Sequence, residues 1–404
     1  MKNKQKSSKS CKFCLIVELR LLERRTVTVE STKTGPGGPT TGKEEIMPPP
    51  AERRWSRWLP WGVLALIVLL AMVFRQPLIE QLGATSWNIW LGAVAQGLGY
   101  GAVAIGVYLT FRILDFPDLT IDGSFPLGAA VASAMIIGGW SAYLSLPAAF
   151  IGGALAGVAT GLIHTRLNIN GLLASILVLT GAFTINLRIM GQSNIPLLEA
   201  ETIFSPFKPF FRNLFIEQWD RAWLRVHTNI LSIVIFLLLI ILIKLTIDWF
   251  LHTESGLAMR ATGDNPQMIR ALGVNTDTMK ILGLAISNGL VGLSGALLAQ
   301  YQGFADVNVG AGLIIAGLAA VIIGETLFRP KTIAWATFAV VVGMIIYRLA
   351  IALALIIEIP LPGTGNSIKL EPTDVKLATA LLVLVALAIP QIQRQRQQRR
   401  RRKG

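Results

Sequence analysis

Ten separate stretches of this chain are long and apolar enough to cross a lipid bilayer, and nothing else in the sequence constrains the fold so strongly. They cover residues 58–75, 88–112, 123–143, 145–165, 170–190, 228–250, 278–301, 309–328, 331–357 and 374–390. A hydrocarbon core about 30 Å thick takes roughly 20 apolar residues as an α-helix. No water is present there to satisfy a broken backbone, so irregular structure is excluded from lipid contact. The expected fold class is therefore all-α: a polytopic membrane protein of about ten transmembrane helices. The segment 58–75 is short, but Trp55, Trp58 and Trp61 supply an interfacial belt, and 331–357 is long enough to tilt.

Charge divides the chain into three parts. Residues 1–58 hold 13 Lys and Arg against 6 Asp and Glu, and residues 391–404 hold 7 bases and no acid. The middle, 59–390, is neutral with 17 of each, so the whole excess of +14 lies in the tails. Basic residues are retained on the cytoplasmic side, and an even number of spans puts both termini there. The expected organisation is a polar N-terminal extension over 1–52, a transmembrane domain over 53–390 and a basic cytoplasmic tail over 391–404. The extension is rich in Lys, Thr, Gly and Pro and buries too little apolar surface to order itself. Met47, just before the first Arg-flanked span, is an expected alternative start. The tail suits lipid headgroups, and no aromatic or folded reader accompanies it for nucleic acid.

Several motifs dissolve on inspection. Gly37 to Lys43 has the spacing of a phosphate-binding loop, but Glu44 stands where Ser or Thr must ligate magnesium, and Pro48-Pro-Pro50 replaces the helix. Cys11 and Cys14 form a lone pair with no second pair to complete a zinc site. His164, His227 and His252 stand apart near expected span ends, so no metal site, cofactor or catalytic triad is expected. The chain is not expected to be an enzyme, and any ATPase is expected on another chain.

Polar groups inside the spans carry more information. An arginine at mid-bilayer costs roughly 2.5–3.5 kcal/mol on insertion scales. Arg348 is such a residue, and an acid of a neighbouring span is its favoured expected partner, with a solute carboxylate as the other reading. Asp118, Thr120, Asp122, Asp306 and Asn308 complete the candidate translocation path. They flank a short internal repeat: Phe116-Pro-Asp118-Leu-Thr-Ile121 recurs as Phe304-Ala-Asp306-Val-Asn-Val309, and Gly128 to Val131 is echoed, with one inserted residue, by Gly317 to Val321. The first copy is expected on the inner side and the second on the outer side, which is the arrangement of an inverted repeat. Between spans five and six, residues 211–226 pattern as an amphipathic helix at the outer interface, either an anchor or a docking surface.

The polar stretch from Thr253 to Asn275 lies between two spans. Asp264 or Asn265 can cap a short helix there, Pro266 fits its first turn and Gly273 can close it. With Phe116 to Phe125, Leu127-Gly-Ala, Leu173-Ala-Ser-Ile176, Thr180 and Ile185 to Gly191, it resembles the permeases of ABC importers of the branched-chain amino acid and ribose type, and more closely a subgroup linked to aromatic amino acid uptake. The resemblance covers about residues 88–390. It implies a bacterial inner-membrane importer of a small polar solute, in which 253–275 meets cytoplasmic ATP-binding subunits through Gly256, Arg260, Asp264, Pro266, Arg270 and Gly273. It also implies a second permease copy and an external solute-binding protein. An ion-coupled secondary transporter is the alternative class.

Overall fold

A computed structural model describes residues 84–206, 221–356, 358–360 and 367–369. The expected spans 58–75 and 374–390, both tails, and residues 211–220 of the expected amphipathic helix lie outside the described residues.

The described chain is almost wholly helical. α1 (Ala84–Gly99), α2 (Gly101–Val107) and a π-helical turn (Tyr108–Ile113) run on as one span. There follow α3 (Ile121–Ile137), α4 (Ala142–Arg166), α5 (Gly171–Met190), α6 (Arg221–His252), α7 (Glu254–Asp264), α8 (Pro266–Ala271) and α9 (Thr276–Gln302). α10 (Leu313–Phe328) and α11 (Ile333–Ile356) close the described bundle. Seven of the described segments are long and apolar enough to cross a membrane, and α3 is apolar but shorter. Residues 221–226, expected to end a separate amphipathic helix, instead run unbroken into the span as the first turns of α6.

Two short antiparallel ribbons add to the expected all-α architecture. β1 (Asn194–Pro196) pairs with β2 (Phe304–Asp306), and β3 (Glu358–Pro360) pairs with β4 (Ser367–Lys369). The first ribbon is extended by Leu197 N–H donating to Gly303 O and Val307 N–H to Ser193 O. Where the chain leaves a helix at membrane depth, its free backbone groups must find partners in protein.

α9 is the hub, buried along most of its length. In lipid the hydrophobic drive between helices is absent, so close backbone approach replaces it. A β-carbon on Gly153 would overlap the Asn288 carbonyl, one on Gly157 the Leu284 carbonyl, and one on Gly128 the backbone of Gly292. The helices α3, α4 and α9 therefore touch backbone to backbone. Ser287 Oγ donates to Gly106 O and Ser294 Oγ to Gly99 O, each at 2.7 Å, pinning the continuous α1–α2 span against α9. Because Gly106 meets Ser287 while Gly99 meets Ser294, the two helices run antiparallel.

α3 is only 17 residues, about 25 Å at 1.5 Å per residue. It begins inside the bundle, where Ser124 Oγ donates to Asn288 Oδ1 near the midpoint of α9 at 2.7 Å. α10 is similarly short at 16 residues, and Gly310 just before it packs on the Asp122 carbonyl and Pro126. Two short helices thus start in contact with each other. Gly128→Val should remove the contact with Gly292 and cost about 1–3 kcal/mol by overpacking. A lowered melting temperature of the detergent-purified chain, followed by size-exclusion after heating, checks it.

Candidate coupling segment and translocation site

The polar stretch 253–275 folds as two helices, not the one short helix expected from Asp264 to Gly273. Thr253 Oγ1 accepts the Gly256 N–H and starts α7, in which Asp264 is the last residue. Pro266 disfavours a helical residue before it, and Asn265 is accordingly extended at φ −155°. Asn265 then caps α8, its Oδ1 accepting the Met268 N–H at 3.0 Å, with Pro266 in the first turn. Gly273, at φ +87°, supplies the left-handed residue that ends it.

Of the residues expected to meet a partner, Asp264, Pro266, Arg270 and Gly273 are exposed and Arg260 is half-buried. Gly256 is buried, because α7 turns back against Phe250 and Leu251. Arg270 braces the pair of helices to α9: its Nε donates to Thr276 Oγ1 at 2.6 Å and its Nη2 to Asp277 Oδ1 at 3.0 Å. A residue that the expectation omitted ties this segment to the bundle. A β-carbon on Gly263 would overlap the Ile113 carbonyl, so α7 rests directly on the end of the π-helical turn. Met259 and Leu114 both pack at Gly283 of α9.

From that contact the chain runs straight into the candidate path. Asp115 is left-handed at φ 52°, Phe116 is buried against Gly171 and edge-on to His164, and Asp118 is fully enclosed. The Asp118 carboxylate accepts the Thr120 N–H at 2.9 Å and Asn288 Nδ2–H at 2.7 Å, while Thr120 and Thr160 share a hydroxyl hydrogen bond at 2.6 Å. Asp122 accepts two backbone N–H groups at the start of α10, from Gly312 at 2.9 Å and Ile314 at 2.8 Å. An anion at a helix N-terminus is stabilised by the unsatisfied N–H groups there.

Asp306 and Asn308 stand beyond the C-terminal end of α9, where Asp306 Oδ1 accepts the Asn308 N–H at 2.8 Å. Asp118 makes the same two-residue turn, and Asp115 and Gly303, one residue before each repeated Phe, are both left-handed. The short repeat is therefore a repeat of backbone geometry as well. Its copies leave antiparallel helices, so they enter the bundle from opposite ends. Arg348 is not brought to this cluster. Its guanidinium lies 3.7 Å over the Tyr100 ring, which stacks on Phe125, and its buried Nε has no hydrogen-bond partner. The acid expected beside it is absent among the described residues; a π-face takes that place.

Sequence reading missed Asn288, Ser124 and Thr160. An amide in the middle of an apolar span was a signal for Asn288, whereas small hydroxyls give little signal in an apolar span, since one such as Thr160 can bond its own helix at Ala156 O. At the end remote from α7, a cavity of about 540 Å³ is lined by Gln96, Phe204, Asn229, Gln300, Tyr301, Gln302 and Phe304 among others. Its lining combines neutral amides, hydroxyls and aromatic rings with Leu231.

Asn288→Ala should leave Asp118 and Ser124 short of a partner and cost about 1.5–3 kcal/mol, with Asn288→Asp worse because it sets two carboxylates together. Melting temperatures of the two variants in detergent give the comparison.

Comparison with known proteins places the geometry in context. A profile of the family described as "Branched-chain amino acid transport system / permease component" matches residues 89–388. A "Tyrosine transport system permease protein" of Clostridioides difficile is 41% identical over 261 residues, covering 65% of this chain and 81% of that protein. An uncharacterized protein of Rickettsia prowazekii is 35% identical over 60% of this chain and 78% of its own length. The protein named "Probable branched-chain amino acid transport permease protein LivH" of Methanocaldococcus jannaschii is 26% identical over 55% and 69%. Among solved structures, a metal-chelate type ABC transporter in an inward-facing conformation aligns over 83% of this chain and 98% of its own, at TM-score 0.40 and 16% identity.

Proposed function

The chain belongs to the branched-chain amino acid permease family, and on that premise we propose that it is the membrane subunit of an ATP-driven importer of aromatic amino acids. It works with cytoplasmic ATP-binding subunits, a second permease copy and an external solute-binding protein, with both termini in the cytoplasm. The observation that carries the coupling assignment is the seat of α7 on Ile113 through Gly263. A push on α7 and α8 from a closing ATPase reaches the π-helical turn without passing through a flexible linker. From there it reaches Asp118, Thr120 and Asp122, where the two halves meet. Family membership favours this reading over an ion-coupled secondary transporter.

The solute class rests on two supports. The Clostridioides difficile relative is named for tyrosine. The cavity remote from α7, about 540 Å³, lies within the usual 300–1,000 Å³ of small-molecule sites and offers rings and neutral amides for a planar, uncharged side chain. Gln96 and Gln302 line it, each bringing a neutral side-chain amide to the cavity wall.

Arg260→Glu should abolish uptake while the chain still inserts in the membrane. Normal uptake by that variant, with its ATPase still copurifying, would end the coupling assignment. Gln302→Leu should raise the KM for L-tyrosine roughly two- to tenfold, the equivalent of one neutral hydrogen bond, with kcat unchanged. An unaltered KM removes this cavity from the solute's route.

A further inference from the structure

The end of the bundle that carries α7 also carries a charged patch that neither the coupling segment nor the translocation path uses. Arg112, in the π-helical turn on which α7 rests, donates its Nε–H to Glu325 Oε1 at 2.9 Å, so the last turn of α10 lies at this end. α10 stops at Phe328 and α11 starts at Ile333, and the four residues between them include Arg329 and Lys331. Both are exposed. Glu325, the nearest acid in sequence, is already engaged by Arg112, and neither cation forms an ion pair among the described residues.

Arg329 stands there against its own backbone preference. It is left-handed at φ 44° and ψ 59°, and its N–H donates to Glu325 O to close α10. Helices commonly end on such a residue, and glycine takes the position without a steric penalty. The other left-handed positions among the described residues are five glycines, Asp115 and Asn168. Asp and Asn tolerate that conformation through their short polar side chains. Arginine has no such relief, and strain of this kind persists at sites where the side chain is needed.

An aromatic cluster adjoins the two cations. Trp335, in the first turn of α11, meets Phe338 edge-on at 5.7 Å, and Phe338 meets Phe328, the last residue of α10, at 6.1 Å. Trp335, Phe338 and Phe328 are 58%, 43% and 38% exposed. Large rings turned outward at the end of an apolar span sit at the headgroup level of a bilayer, with their apolar bodies toward the acyl chains. Basic side chains beside them reach the phosphate layer. We propose that Arg329 and Lys331, with Phe328, Trp335 and Phe338, bind one anionic phospholipid. Its phosphate diester lies between the two cations, and an acyl chain lies along the rings.

The guanidinium fork suits two phosphate oxygens at once. A zwitterionic lipid has the same phosphate but adds a cation of its own, which the two bases repel. The bound lipid fixes the end of α10 to the adjacent leaflet. Through Glu325 and Arg112 it also steadies the turn on which α7 rests. This site requires only a bundle that crosses a membrane, whatever solute passes.

The test reconstitutes the full chain with its ATP-binding subunits in phosphatidylcholine vesicles. These carry an equal mole fraction of either dibrominated phosphatidylglycerol or dibrominated phosphatidylcholine. Bromine quenches tryptophan on contact, and subtracting the signal of Trp335→Phe isolates Trp335 from the chain's other tryptophans. Phosphatidylglycerol should be preferred at Trp335 by on the order of fivefold, the equivalent of one basic residue near a charged surface. High salt should narrow the difference. Arg329→Gly should remove most of the preference with the melting temperature equal or higher, and Arg329→Lys should keep it. A cation also suits a helix C-terminus by itself. If that is all Arg329 does, Arg329→Gly lowers the melting temperature and leaves the preference intact, and the site is wrong. It is equally wrong if both lipids quench Trp335 alike in the unmodified chain, or if the preference survives Arg329→Gly combined with Lys331→Gln. A preference seen only after the ATP-binding subunits are removed would assign the patch to them instead. None of these readings depends on uptake, so a failure of the transport assignment leaves them unchanged.

Discussion

Water cannot follow this chain into the bilayer, and the interior is organised by that exclusion. Every polar group must be satisfied within the protein, and helices must be held by contact, since lipid is as apolar as leucine. α9 meets both demands. Its small residues let α3 and α4 approach to backbone distance, and its Ser287, Asn288 and Ser294 satisfy carbonyls and a carboxylate that no solvent could reach. Remove that helix and the buried Asp118 loses its Asn288 partner.

Function follows from where the exclusion is relaxed. Two short helices begin without a local side-chain cap, α3 among buried residues at Thr120 and Ile121 and α10 at the exposed Gly312. Asp122 supplies the cap for α10 from the other half of the chain. A bond that completes one half with a residue of the other is also a bond through which they sense each other. The segment 253–275 reaches the same region from the end of the bundle, through Gly263 and Ile113. Motor contact, repeat junction and buried carboxylates form one continuous packed path.

The expectations drawn from residues fared unevenly for physical reasons. Spans were legible because apolar length is a local property: eight of the ten expected have described counterparts, and two lie outside the described residues. Boundaries were less so. α3 starts at Ile121 and ends at Ile137, not 123–143, because its first turn is fixed by partners in α9 and before α10. The capping signals of Asn265, Pro266 and Gly273 were read correctly, but the helix before them was missed, since Glu254 to Asp264 is polar and carries no span signal. Arg348 was assigned an acid because cost in lipid argues for one. Among the described residues a ring lies against it instead, and no periodicity distinguishes the two.

By itself the sequence determined that this is a bundle of membrane helices with a capped polar segment between spans and a twice-written loop motif, because each is set by residues adjacent in the chain. Tertiary structure alone decided which glycines let helices touch, that Asn288 receives Asp118, and that Asp122 meets Gly310. Those facts join residues far apart in the chain, 170 positions in the case of Asp118 and Asn288, and only the folded chain, forced to satisfy its polar groups without water, brings them together.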